Sequence, residues 1–112
     1  MTVFVPDVGD IVWLSLDPRA GREQAGRRPF LVLTPRSYND RTSLAVGCPI
    51  TTQVKGYPFE VPLSSNTTIQ GVVLADHIKS LDWRERRAEL AAKADGGTIG
   101  SAKRLISVLL NI

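Results

Sequence analysis

Sulfur and imidazole chemistry are scarce in this 112-residue chain, which has one cysteine and one histidine. The single Cys48 excludes an internal disulfide and gives no sign of an oxidising compartment. With His77 as the only imidazole, no His/Cys zinc set can form within one chain. Asp7, Asp10, Asp17, Asp40, Asp76 and Asp82 are scattered and make no paired-carboxylate motif for magnesium. No metal and no cofactor are therefore expected. A G-x-S-x-G element is absent and His77 would have to act alone as base, so serine-type hydrolysis is unsupported. No apolar run reaches about 18 residues, so no membrane helix is expected. The N-terminus, Met1-Thr2-Val3-Phe4-Val5-Pro6, lacks a basic n-region and a cleavable apolar segment, so a cytoplasmic protein without signal peptide is expected. Internal repeats, low-complexity tracts and long linkers are also missing.

What remains is an ordinary globular composition, 43% apolar, in a length that suits one domain over 1–112. The formal charge is +3 and the sequence pI about 9.4, compatible with nucleic acid without requiring it. Ten of the 14 cationic side chains are arginine, whose planar fork matches phosphate.

Turn residues recur at short intervals: Pro6 to Gly9, Pro18 to Gly26, Pro35 to Asn39, Gly47 to Pro49, Gly56 to Pro58 and Ser64 to Thr68. Short Val/Ile/Leu-rich runs lie between them. The rhythm predicts a small, mainly β barrel with strands over 10–16, 29–34, 43–48, 58–62, 71–75 and 86–91. Towards the C-terminus the period changes. Ile99, Ala102, Leu105, Ile106, Leu109 and Leu110 recur at three- and four-residue steps, which predicts an amphipathic helix packed on the barrel. Asp95-Gly96-Gly97-Thr98 supplies its start signals.

The most informative stretch is Glu23-Gln24-Ala25-Gly26-Arg27-Arg28-Pro29, between two apolar runs. It is too long for a tight hairpin, and long loops on small scaffolds tend to carry function. It delivers a carboxylate, an amide and two guanidinium groups to one place. Arg28 stays cationic and can donate two hydrogen bonds to phosphate oxygens, but it is a poor general base. Its alternative is a surface salt bridge. Thr51, after the strand at 43–48, is either a phosphate donor or a plain turn residue. Lys55, Gly56 and Tyr57 combine a cation, a hinge and an aromatic plane, which suits single-stranded RNA. Trp13 offers either stacking and partner surface or strand packing. Trp83 fits the core as well as a surface, and Cys48 reads as a small buried hydrophobe.

The pattern E-Q-x-G-x-R-P, after a strand that ends in Asp17-Pro18, resembles the MazF/PemK family of toxin endoribonucleases. The resemblance runs through nearly the whole chain. It includes Val5-Pro6-Asp7-Val8-Gly9-Asp10, Cys48-Pro49-Ile50-Thr51-Thr52-Gln53, Lys55-Gly56-Tyr57-Pro58-Phe59-Glu60 and Gly71 to Ser80, in order. It implies an SH3-like barrel with a C-terminal α-helix, a homodimer, and a toxin of a type II toxin–antitoxin system. The implied activity is sequence-specific, metal-independent cutting of single-stranded mRNA, with 2′,3′-cyclic phosphate and 5′-OH ends. Arg28 and Thr51 match the family's catalytic pair. Glu23 either accepts the 2′-OH proton or holds Arg27 or Arg28 in place. Gln24, Arg27, Lys55, Tyr57, Lys79 and Asn39 are the expected RNA contacts. Trp13, Arg22 and Lys55 are the expected contacts of an antitoxin with an acidic C-terminal tail.

Two departures stand out. A plasmid-borne branch of the family carries histidine where this chain has Arg22, and arginine where it has Leu74. Acid–base work by those two side chains is unavailable, and His77, next to Asp76, is the substitute candidate. The chain fits the chromosomal MazF-like pattern better. Two other functions remain open at this level: a non-catalytic nucleic-acid-binding module, and a gyrase-poisoning toxin of related fold. Fold alone does not decide among them.

Overall fold

The computed structural model describes residues 3–17, 21–22, 25–65 and 67–112. Within them the chain forms β1 (Asp10–Ser15), β2 (Arg27–Val32), α1 (Arg36–Thr42), β3 (Leu44–Thr51), β4 (Glu60–Pro62) and β5 (Val72–Leu74). A 3-10 turn (Ala75–His77), β6 (Lys79–Asp82), β7 (Glu89–Lys93) and α2 (Gly96–Leu110) follow. The strands pair in the order β4-β5-β3-β2-β1-β7, with β6 also on β3, and every pairing is antiparallel. The expected mainly β, barrel-like architecture with a C-terminal helix is the one adopted. No helix among the described residues is long and apolar enough to cross a membrane.

β3 holds the sheet together. Its first half, Leu44 to Gly47, pairs with β6, its middle with β2, and its end, Ile50 and Thr51, with β5. At Gly47 the strand is flanked by Val32 on one side and Lys79 on the other. A Cβ there would overlap the Leu31 carbonyl oxygen, so only glycine fits.

Successive residues of β1 and β2 bury opposite faces of the sheet. Ile11 and Leu31 join Cys48, Ile50, Val73, Ala102 and Ile106 in one apolar cluster, which α2 covers. Val12, Leu14, Phe30 and Val32 join Ala45, Leu81 and Trp83 in the other. Burial on both faces explains why these strands read as continuous apolar runs rather than alternating ones.

α2 begins where the sequence predicts, with the Asp95 carboxylate accepting from the Thr98 N–H at 2.8 Å. Ala102, Leu105 and Ile106 face the sheet, as expected. Leu109 and Leu110 do not; with Val108 and Ile112 they leave an exposed apolar end.

Three expectations need correction. The stretch Pro35 to Asn39 is not simply a turn, because α1 starts at Arg36. It has no apolar stripe to reveal it, and its one buried residue is Asn39. Asn39 is therefore no RNA contact. Its Nδ2 donates to the Pro6 and Thr34 carbonyls, both at 2.9 Å, and its Oδ1 accepts from the Thr34 hydroxyl at 2.7 Å. The Asn39 carbonyl accepts from the Trp83 indole N–H, which settles Trp83 as core. Finally, the strand expected at 86–91 lies at Glu89–Lys93, and β6 precedes it unannounced.

Gly71 adopts φ +120°, and a Cβ there would overlap the Thr51 carbonyl oxygen. Gly71→Ala should therefore destabilise the fold by more than about 1 kcal/mol in urea unfolding; an unchanged midpoint would overturn this. Three carboxyls sit below their usual range. Asp7 is held there chiefly by the Arg36 N–H, Asp82 by the Glu85 N–H and Asp95 by the Thr98 N–H. Lowered folded-state values mean stability that is fully present above the unfolded carboxylate value of about 3.9 and is lost as pH falls through the folded values. The melting temperature should hold steady above about pH 5 and fall below about pH 4. A melting temperature constant down to strong acid would contradict it.

Candidate active site

The site is built around the C-terminal end of β3. Thr51 is its last residue and only 4% exposed. The Thr51 Oγ1 accepts from the Gln53 N–H at 3.1 Å, which leaves the hydroxyl proton free to donate elsewhere. Thr51 lines a depression of about 260 Å³ with Arg22, Lys55, Tyr57, Asp76 and His77.

Residues 52–58 are exposed throughout and form one wall. Their backbone is not free. The Glu60 carboxylate accepts from the Lys55 N–H at 3.0 Å and the Gly56 N–H at 2.9 Å, with Gly56 at φ +78°. The Lys55 Nζ stands 5.9 Å from the centroid of the exposed Tyr57 ring. The opposite wall is the 3-10 turn with Asp76 and His77. It is tied to β3 from behind, where the Cys48 Sγ contacts the Ala75 carbonyl at 3.8 Å. Burial, helped by the Asp76 charge, pushes the Cys48 thiol up to about 12, so it is inert packing.

Arg28 lies in β2 and is half-buried, where a surface loop was expected. Its Nε donates to the Ala25 carbonyl at 3.0 Å, which fixes the guanidinium against the chain that leads into the strand. β2 and β3 pair only as far as Phe30 opposite Pro49, two residues short of both Arg28 and Thr51. Arg28 lines a second depression, about 370 Å³, with Trp13, Arg27, Pro29, Ile50 and Thr52. The two depressions share no lining residue: Thr51 borders the first, and its chain neighbours Ile50 and Thr52 border the second. Arg27 is ion-paired to Glu89 at 3.1 Å and also donates to the Arg87 carbonyl, so part of its charge is committed. Lys79 borders a third depression with Arg22, Asp76 and His77.

The structure thus brings Thr51, Lys55, Tyr57 and Arg22 together, places Arg28, Arg27 and Trp13 in a separate depression, and leaves Lys79 at the margin. Glu23 and Gln24 lie outside the described residues. Sequence reasoning did not single out Gln53, Glu60 and Asp76. The signals for them were the Gln53 ending of one motif, the Phe59-Glu60 ending of another and the position of Asp76 beside the sole histidine. Among the described residues, no three His, Cys, Asp or Glu side chains converge as a metal set would require.

Residues 7–110 match the model of a family described as PemK-like, MazF-like toxins of type II toxin–antitoxin systems. The chain is 46% identical over 107 residues to the endoribonuclease toxin MazF of Escherichia coli K12, covering 96% of each chain. The crystal structure of MazF from Deinococcus radiodurans superposes with a TM-score of 0.95 at 50% identity, covering 98% of this chain and 100% of that one. A chain of the MazE-MazF crystal structure from the same organism gives 0.90 at 50% identity, covering 98% and 99%.

Glu60→Ala should release the two backbone N–H groups of the 55–57 loop without touching the core. Amide exchange at Lys55 and Gly56 should quicken about fivefold or more, from about 1 kcal/mol per lost hydrogen bond. Unaltered exchange, read by NMR, would show that the carboxylate does not hold the loop.

Proposed function

Because the chain belongs to the PemK-like, MazF-like toxins of type II toxin–antitoxin systems, we propose that it acts as an endoribonuclease on single-stranded mRNA. The observation that carries the proposal is the nearly buried Thr51 on a cleft lined by Arg22, Lys55 and Tyr57, with the Arg28 guanidinium held by the Ala25 carbonyl in the neighbouring strand β2.

RNA brings its own nucleophile, the 2′-OH beside the scissile phosphate. Attack needs a proton acceptor, stabilisation of charge on the phosphorane, and departure of the 5′-oxygen. Arg28, pre-aimed by the Ala25 carbonyl, supplies a fixed positive charge for the phosphorane oxygens. Thr51 donates its hydroxyl proton to a phosphoryl oxygen, its lone pair being occupied by Gln53. Glu23 accepts the 2′-OH proton. Tyr57 stacks on a base while Lys55, Arg27 and Lys79 meet the backbone, and Gln24 reads an edge. No metal enters this scheme, and the products carry 2′,3′-cyclic phosphate and 5′-OH ends.

The same cations would hold the acidic tail of a cognate antitoxin, with the exposed Trp13 as an apolar anchor. RNA and antitoxin then compete for one surface. The exposed apolar end of α2, Val108 to Leu110 and Ile112, favours pairing with a second copy as a homodimer. A cytoplasmic site of action follows from the mRNA substrate.

Arg28→Ala should lower the cleavage rate on the order of a hundredfold or more, at a stability cost of about 1 kcal/mol for the lost hydrogen bond. Primer extension on a long, weakly structured transcript gives activity and cut site together. Near-wild-type cutting by the folded variant would reject the assignment. A single 2′-deoxy substitution 5′ of the cut phosphate should block cleavage while binding persists; a cut there would mean that water attacks. Lys55→Glu should weaken binding of both RNA and antitoxin tail in gel shift, and loss of only one would separate the two surfaces.

A further inference from the structure

The scheme above leaves one proton unassigned. As the P–O5′ bond breaks, the 5′-oxygen departs as an alkoxide unless a group protonates it. Arginine and lysine ordinarily hold their protons too tightly to give one up near neutral pH, and aspartate and glutamate ordinarily have none to give. Imidazole is the side chain that ordinarily changes charge between about pH 5 and 8. The chain has one, His77.

His77 is placed for the task. It ends the 3-10 turn directly after β5, and the β5 register sets Val72 against Thr51. It lines the Thr51 depression and also the adjoining one with Lys79, so it stands on the ridge between them. It is half-buried, and among the described residues neither ring nitrogen is engaged in a hydrogen bond or ion pair. An imidazole serving the fold normally spends at least one ring nitrogen on a partner. The turn beneath it is rigid: Ala75 is fully buried, its N–H donates to the Phe59 carbonyl at 3.0 Å, and its carbonyl meets Cys48.

We propose that His77 is the general acid of the cleavage step, donating a proton to the departing 5′-oxygen; this rests on the 2′-OH mechanism set out above. The balance is complete. Glu23 takes the 2′-OH proton, the 2′-oxygen bonds to phosphorus, and the P–O5′ bond breaks with its electron pair on the 5′-oxygen. The imidazolium proton goes to that oxygen. Protonated Glu23 and neutral His77 then exchange protons with solvent. Among the described residues, the charged groups around the ring are Asp76 on its own turn, Arg22 across the cleft, Lys79 on β6, and Lys55 and Glu60 on the facing wall, with the Tyr57 phenol beside them. β3 contributes the neutral Thr51 and Cys48. α2 meets the turn through the apolar cluster of Ala75, Ala102 and Ile106, with Lys103 and Arg104 exposed.

The test uses an oligoribonucleotide spanning the cut site mapped by primer extension. A second copy carries sulfur in place of the bridging 5′-oxygen at the scissile phosphate. A thiolate leaves without a proton, so this substrate needs no general acid. His77→Ala should cut the oxygen substrate on the order of a hundredfold or more slower, yet cut the sulfur substrate at the wild-type rate. That second rate also demonstrates that the variant is folded. The alkaline limb of the wild-type kcat/KM profile on the oxygen substrate should vanish in the variant. Arg28→Ala, by contrast, should be slow on both substrates. Equal rates for wild type and His77→Ala on the oxygen substrate would overturn the proposal, and so would an equal defect on both substrates. If wild type cut a copy with a 2′-deoxy nucleotide 5′ of the scissile phosphate, the 2′-OH mechanism itself would fall, which is a separate and recognisable result.

Discussion

β3 hydrogen-bonds to three other strands within eight residues, and the hand-over runs through a position with no room for a side chain. At Gly47 the backbones of β2 and β6 close in from both sides. The pairing beyond that point decides where the strand ends and what its last residue faces. Thr51 is buried at the lip of the cleft because β3 leaves its partnership with β2 at Pro49 and is carried two residues further by β5. The hydroxyl's position is thus a consequence of sheet topology rather than of any local turn.

A second close approach fixes the same residue from the other side. The left-handed Gly71 fits against the Thr51 carbonyl, and the strand that follows it leads into the turn bearing Asp76 and His77. Core packing and site geometry therefore share atoms. The facing wall is different: residues 52–58 are exposed and are held by the Glu60 carboxylate. One side of the cleft is anchored in the core and the other is tethered by side-chain hydrogen bonds.

How far this was legible in the sequence depended on which signal each part carried. The strands buried on both faces announced themselves as apolar runs, and α2 as a stripe with an Asp95 cap. α1 was invisible because a seven-residue helix with one buried side chain has no stripe to show. Asn39 was misjudged for a related reason. A polar residue among Ser37, Tyr38 and Asp40 looks solvated, and only three dimensions reveal that its amide is surrounded by Pro6 and Thr34. Arg28 and Pro29 were read as loop because proline discourages strands. In the sheet, β2 pairs with β3 only from Phe30 onward, so on that side Pro29 sits where no N–H is needed. Arg28 and Thr51 were put forward through resemblance to a family, since chemistry alone left both with structural alternatives. The cleft that unites Thr51 with His77 had no sequence signal beyond the rarity of histidine.

The pairing of β1 with β7 has a consequence for the time at which the molecule comes into being. The first strand finds its outer partner, Glu89–Lys93, only after the residues between them have been made. β3 likewise waits for Lys79–Asp82, and the apolar cluster behind the cleft waits for α2. An emerging chain holds Arg28 and Thr51 early but lacks the strands and helix that set them in place. The site is assembled only after α2 has emerged, so the two residues are made well before the surroundings that hold them.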